Sequence, residues 1–153
     1  MTELTPDFVD LLLALADNEV DFVIVGGYAV AFHGHSRATK DIDIFVRASS
    51  DNAKKLYRSL AIFGAPLDQF DVAENDFIDY GGVLQLGMPP QRIDIINRIT
   101  GVTYDEACID SEAFELNGRT IRIIGLTALL KNKLATGRDQ DLLDAKMLSR
   151  NRK

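Results

Sequence analysis

Apolar residues recur at helical spacing from Phe8 through Val9, Leu11, Leu12, Leu13, Leu15 and Ala16. Thr5 supplies an N-cap and Pro6 a first helical residue, so the pattern predicts a helix over about 6–17. Asp17-Asn18 reads as a turn. Phe22-Val23-Ile24-Val25 is an uninterrupted apolar run, which predicts a short buried strand leading into Gly26-Gly27. Tyr28 to His33 reads as helical, with Gly34 as its C-cap. Residues 37–40 connect to a second strand over 41–46, where acidic and apolar residues alternate. Ser49 or Ser50 can cap a helix over 52–63, with Ala53, Leu56, Tyr57 and Leu60 inward and Lys54, Lys55 and Arg58 outward. Gly64-Ala65-Pro66 stops it.

Residues 67–81 carry no clear period. They are acidic, with aromatics at Phe70, Phe77 and Tyr80, and are read as an insertion or lid. A hairpin follows, with strands over 83–86 and 92–96 around the turn Gly87-Met88-Pro89-Pro90. A short helix is expected over 103–108. Strands over 113–116 and 120–124 flank Asn117-Gly118, a two-residue hairpin signal. Helical spacing then returns at Leu129, Leu130 and Leu134 and, past Gly137, at Leu142, Leu143, Ala145, Met147 and Leu148. The expected architecture is α/β (α+β), a mixed sheet flanked by helices. It is expected to be one domain over 1–153, with the sheet portion at about 20–125 and C-terminal helices at about 126–149.

At 153 residues, 46% hydrophobic and 26% charged, the chain has the make-up of a globular domain that folds without staples. No apolar run approaches the ~20 residues of a membrane-spanning helix, and the first residues lack the basic start and apolar stretch of a signal peptide. No membrane association and a cytoplasmic location are therefore expected. The lone Cys108 cannot form an intrachain disulfide. A net charge of -6 opposes non-specific DNA binding.

Within the second strand, side chains at i and i+2 share a face, so Asp41 and Asp43 are expected to point together while Ile42 and Ile44 enter the core. Two carboxylates on one face repel each other. A divalent cation, or two, relieves that repulsion, and oxygen-only ligands favour Mg2+ or Mn2+. Thirteen residues separate Gly27 from Asp41, and the Gly-Gly pair follows a buried strand, where backbone can approach phosphate. A third acid, Asp94, stands among apolar neighbours in Arg92-Ile93-Asp94-Ile95-Ile96. Arg37, Lys40, Lys131, Lys133 and Arg138 are cations that could gather at one site. His33 and His35 read as capping or packing residues, Tyr28 as a core residue, and Asp139, Asp141 and Asp144 as helix-pair or capping acids.

This set resembles the nucleotidyltransferases of the DNA polymerase β type, whose pattern is Gly-Gly or Gly-Ser, a spacer, acid-apolar-acid, and a third acid on a later strand. Gly26-Gly27, Asp41, Asp43 and Asp94 match it residue by residue. The fuller string, from Gly-Gly-Tyr-Ala through His33-Gly34 to Arg37-Ala38-Thr39-Lys40-Asp41-Ile42-Asp43, resembles the small prokaryotic branch that includes AbiEii-type toxin nucleotidyltransferases. The segment from Lys133 to Asp144 is similar to a lysine- and arginine-bearing stretch common there, with Gln140 where a basic residue is frequent.

The resemblance implies transfer of an NMP from an NTP, ATP among the candidates, to an acceptor hydroxyl with release of pyrophosphate. Two Mg2+ ions, with Mn2+ as an alternative, would be held by Asp41, Asp43 and Asp94. The resemblance also makes Asp94 the acceptor of the hydroxyl proton. Gly26, Gly27, Arg37, Thr39, Lys133 and Arg138 are the candidate phosphate- and nucleotide-binding residues. The implied acceptor is a protein, a tRNA or a small molecule, and the implied setting toxin-antitoxin or defence. The rival reading is a catalytically silent nucleotide-binding or antitoxin-like interaction module.

Overall fold

Local signals set the first helix, α1 (Pro6–Asp17): the Thr5 hydroxyl accepts the Phe8 N–H at 3.2 Å, and Phe8, Leu11, Leu12 and Leu15 are buried along one stripe. The computed structural model describes residues 4–35, 40–78, 83–88 and 91–150. The order continues with β1 (Phe22–Val25), α2 (Gly26–Phe32), β2 (Ile42–Val46), α3 (Ser50–Phe63), a 3-10 turn (Glu74–Phe77), β3 (Val83–Met88) and β4 (Gln91–Ile96). It closes with α4 (Tyr104–Cys108), β5 (Glu112–Leu116), β6 (Arg119–Ile123), α5 (Leu126–Thr136) and α6 (Asp139–Ser149).

The six strands form one sheet in the order β3-β4-β2-β1-β6-β5. It is mixed, as expected: β1 runs antiparallel to β2 and parallel to β6, and β2 runs parallel to β4. The outer strands are hairpin partners, β3 with β4 and β5 with β6. All four residues of β1 are buried, as a strand flanked on both sides and covered by helices requires. The Asn117-Gly118 signal is a true hairpin turn, both residues having positive φ (49° and 82°). Buried side chains from all six helices and from β1, β2, β3, β4 and β6 make one continuous cluster.

Several element ends shift by a residue or two from the sequence reading, and three departures change the picture. The strands of the β3–β4 hairpin continue through Gly87, Met88 and Gln91, because backbone pairing extends to Met88↔Gln91. Of the four residues expected in the turn, Gly87 and Met88 belong to β3, and Pro89 and Pro90 lie outside the described residues. The second helix begins at Gly26, so the glycine pair forms its first turn instead of preceding it. In the acidic segment, Glu74–Phe77 is a 3-10 turn with Phe77 buried, its carbonyl accepting from the buried Asn97 side chain at 3.1 Å. Tyr80 lies outside the described residues. Among those described, no helix is long and apolar enough to cross a membrane.

Candidate active site

Parallel pairing of β2 with β4 decides where the acids meet: Asp43 stands in register with Asp94, between Ile42↔Ile93 and Ile44↔Ile95. Ile42 and Ile44 are fully buried, so Asp43 is turned to the opposite face, as the alternation requires. Asp94 is itself buried, at 9% exposure. Asp41 sits just before β2. Its carboxylate accepts the backbone N–H of Arg92 at 3.2 Å, which holds it at the β4 edge of the cluster.

Burial is the largest influence on the Asp43 carboxyl, followed by the charge of Asp94, a hydrogen bond between the two, and the charge of Asp41. Together they push its pKa from 3.8 up to about 7, against an opposing pull from Lys133. Gly26 explains how Asp43 fits. Its φ is +68°, and a Cβ there would lie 2.0 Å from Asp43 Oδ2, so the carboxylate rests where any side chain at 26 would be.

The sequence reading passed over Arg92. Its side chain shares a face with Asp94, two residues on, and forks onto that carboxylate: Nε donates to Oδ1 at 2.9 Å and Nη2 to Oδ2 at 3.2 Å. The same Nη2 lies 3.3 Å from Asp41 Oδ2. Hydrogen bonding to Asp94 is the main cause of the guanidinium's raised pKa. Among the described residues, no three acidic, histidine or cysteine side chains converge as a ready cation cage.

Beside Asp43 opens a cleft of about 480 Å³. Gly26, Gly27, Asp43, Lys133 and Arg138 all line it, so five of the nine predicted site residues meet on its wall; Asp94 adjoins through Asp43, and Asp41 through Arg92. Arg37 and Thr39 lie outside the described residues. The cleft is completed by Val25, Ile96 and Ile99 as apolar wall and by Thr100, Asn132, Thr136, Gln140 and Asp141 as polar lining. No sequence signal marked Asn132, and Gln140 was marked only as a departure from the basic residue frequent at its place; each reaches the cleft through helix packing. Asn132 donates to the Thr100 carbonyl at 2.9 Å and Gln140 to Asp144 at 2.8 Å.

The cations on the far wall already have carboxylate partners. Lys133 is buried, its Nζ 3.2 Å from Asp141 and 3.3 Å from Asp144. Arg138, largely exposed, bonds Asp141 at 2.6 Å, and the Thr136 hydroxyl meets the same oxygen at 2.7 Å. Burial works to raise the Asp141 carboxyl, and the hydrogen bonds from Arg138, Thr136 and Lys133 outweigh it, so the group sits below its ordinary value. Lys131 does not join this group of cations; it pairs with Glu106 at 2.6 Å, because its helical position faces α4. His33 donates from Nε2 to the Ile124 carbonyl at 2.7 Å, and His35 lies 3.7 Å from Asp144, both tethering contacts.

With this geometry in view, residues 5–152 match the family described as "nucleotidyl transferase of unknown function" (DUF2204). The chain belongs to this family. Nucleotidyl transfer is thus its class of chemistry, in keeping with the polymerase β-like resemblance. Solved structures with the same fold include the Thermotoga maritima protein TM1012, 16% identical, with a TM-score of 0.59 over 98% of this chain and 97% of that one. ANT(2'')-Ia, solved with adenylyl-2''-tobramycin, is 14% identical, with a TM-score of 0.56 over 92% and 84%. The lincosamide antibiotic adenylyltransferase LnuA, lincomycin-bound, is 17% identical, with a TM-score of 0.53 over 97% and 98%. No curated protein matches the sequence significantly. The narrower likeness to AbiEii-type toxins rests on the motif string alone.

Proposed function

We propose that the whole chain, 1–153, acts as one nucleotidyltransferase domain that moves an NMP from an NTP to an acceptor hydroxyl. The observation that carries this reading is the in-register pair Asp43 and Asp94, set against Gly26 at the wall of a nucleotide-sized cleft. The acceptor oxygen bonds the α-phosphorus, the bond to pyrophosphate breaks, and the hydroxyl proton passes to Asp94. Gly26 and Gly27 present backbone to the phosphates. Arg138, largely exposed and exchanging its Asp141 contact for phosphate, and Arg37 and Thr39 on the connector bind phosphate oxygens, while Lys133 contributes positive field from the opposite wall.

The donor set suits a hard divalent cation: three carboxylates and no softer ligand, with burial and the charges of Asp94 and Asp41 pushing the Asp43 carboxyl up to about 7. Asp41, Asp43 and Asp94 would hold Mg2+, or Mn2+, as two ions. Such ions neutralise charge that develops on the attacking and leaving oxygens. The acceptor is read as a small molecule. Two proteins of this fold carry antibiotics or their adenylyl adducts, and the net charge of -6 disfavours tRNA. A cytoplasmic toxin-antitoxin or defence setting is the companion proposal, supported by the motif string.

Calorimetry of the four NTPs with Mg2+ tests this, on the wild type and on Asp41→Asn. We expect Mg2+-dependent binding that the substitution largely abolishes, followed by pyrophosphate release when a hydroxyl acceptor is supplied. Equal affinity in both proteins would remove the metal role from Asp41. Binding without pyrophosphate release across small-molecule, peptide and tRNA acceptors would favour the silent binding module.

A further inference from the structure

Arg92 contacts every oxygen of two of the three cluster carboxylates. Its guanidinium covers both oxygens of Asp94 and Oδ2 of Asp41, and its backbone N–H takes Oδ1 of Asp41. The fork on Asp94 is the bidentate geometry that makes guanidinium–carboxylate pairs strong. Asp43, the third acid, meets its neighbour Asp94 instead and takes up a proton more readily than usual. A divalent cation would need the oxygens that the guanidinium now covers. The Arg92 side chain is about one-third exposed, so it has solvent to swing into.

We propose that Arg92 is the resident counter-cation of the carboxylate cluster, leaving Asp94 and Asp41 when a divalent ion loads and so competing with that ion for the site. The proposal rests on the reading that Asp41, Asp43 and Asp94 take a divalent ion. It makes Arg92 a positioning residue that steadies the empty site and sets the threshold for metal. A guanidinium and a divalent cation cannot share the same fork of oxygens, so removing the first lowers the cost of binding the second. The cluster without either loses the charge forked on Asp94, and repulsion among the acids rises.

The experiment is a Mn2+ titration followed by electron paramagnetic resonance on the full chain, comparing wild type, Arg92→Gln, Arg92→Lys and Asp43→Asn, with melting curves of each with and without Mn2+. Arg92→Gln is expected to bind Mn2+ about tenfold more tightly than wild type, the scale of losing one charged, forked contact. Arg92→Lys, which keeps a charge and loses the fork, falls between the two and carries the comparison should the Gln variant fold poorly. Metal-free Arg92→Gln should melt below wild type, and saturating Mn2+ should close that gap. Weaker or unchanged Mn2+ affinity in both Arg92 variants overturns the competition; if Asp43→Asn has also lost Mn2+, the carboxylate reading survives it. Absence of Mn2+ binding in wild type and Arg92→Gln alike overturns that reading and the competition together.

Discussion

A carboxylate resting against a glycine Cα is the tightest constraint in the site. Gly26 has φ +68°, and a methyl group there would sit 2.0 Å from Asp43 Oδ2. Gly26→Ala therefore meets both a backbone penalty and a collision with the side chain that the site depends on. We expect a loss of about 1–3 kcal/mol from the backbone alone, read in urea denaturation, and loss of Mg2+-dependent nucleotide binding. Asp43 adds a pH dependence whose sign follows from its raised pKa. Between about 4 and 7 the folded protein holds a proton at Asp43 that the unfolded chain has released, so stability falls as pH rises through that range and levels off above it. Asp43→Asn should flatten this part of the metal-free stability profile and be the more stable protein at pH 8. A stability that rises between pH 4 and 7 by an amount Asp43→Asn does not change would contradict the assignment.

Among the elements, the joint that holds β1, β2 and α3 together is a buried asparagine. Asn52 Oδ1 accepts the Asp21 N–H at 2.7 Å, and its Nδ2 donates to the carbonyls of Asp21 and Arg47 at 3.0 and 2.9 Å. Asn52→Ala should cost about 2 kcal/mol or more, since it leaves three backbone groups without this partner, while Asn52→Asp should fail to rescue it because two of the bonds need a donor. Denaturant melts of the two variants give the comparison. Asn52 was read only as the start of a helix, which shows where sequence legibility ended. Helix α1, the Asn117-Gly118 hairpin and the alternation around Asp41 and Asp43 are written in neighbouring residues, and each was legible. The contacts of Asn52 with Asp21, of Arg92 with Asp41 and of Asn132 with Thr100 join residues far apart in sequence, and no local pattern announces them. The same limit explains Lys131: Lys133, two residues on, turns into the cleft wall, and the roughly 200° of helical rotation between them sends Lys131 to Glu106.

For the molecule as a whole, the wall opposite the sheet depends on one buried ammonium. Lys133, on α5, lies between Asp141 and Asp144 of α6, and Asp144 has no measurable exposure. Its charge also reaches Asp43, where it opposes the rise in pKa, so helix packing and the electrostatics of the acid cluster share a residue. If Lys133 were an exposed phosphate ligand, Lys133→Met would weaken nucleotide binding and leave the fold untouched. Burial between two acids leads to a different expectation: a loss of about 3–5 kcal/mol, because the substitution strands carboxylates away from water. Thr136 and Arg138 still hold Asp141, whereas the fully buried Asp144 keeps the neutral Gln140 and loses its ammonium, so more of the cost falls on the charge of Asp144. Adding Asp144→Asn to Lys133→Met should therefore recover much of the lost stability without restoring nucleotide affinity. Equal stabilities for Lys133→Met and wild type would return Lys133 to the role of a surface cation. A double variant no more stable than the single one would shift the cost from the stranded charge to the packing of the lysine stem.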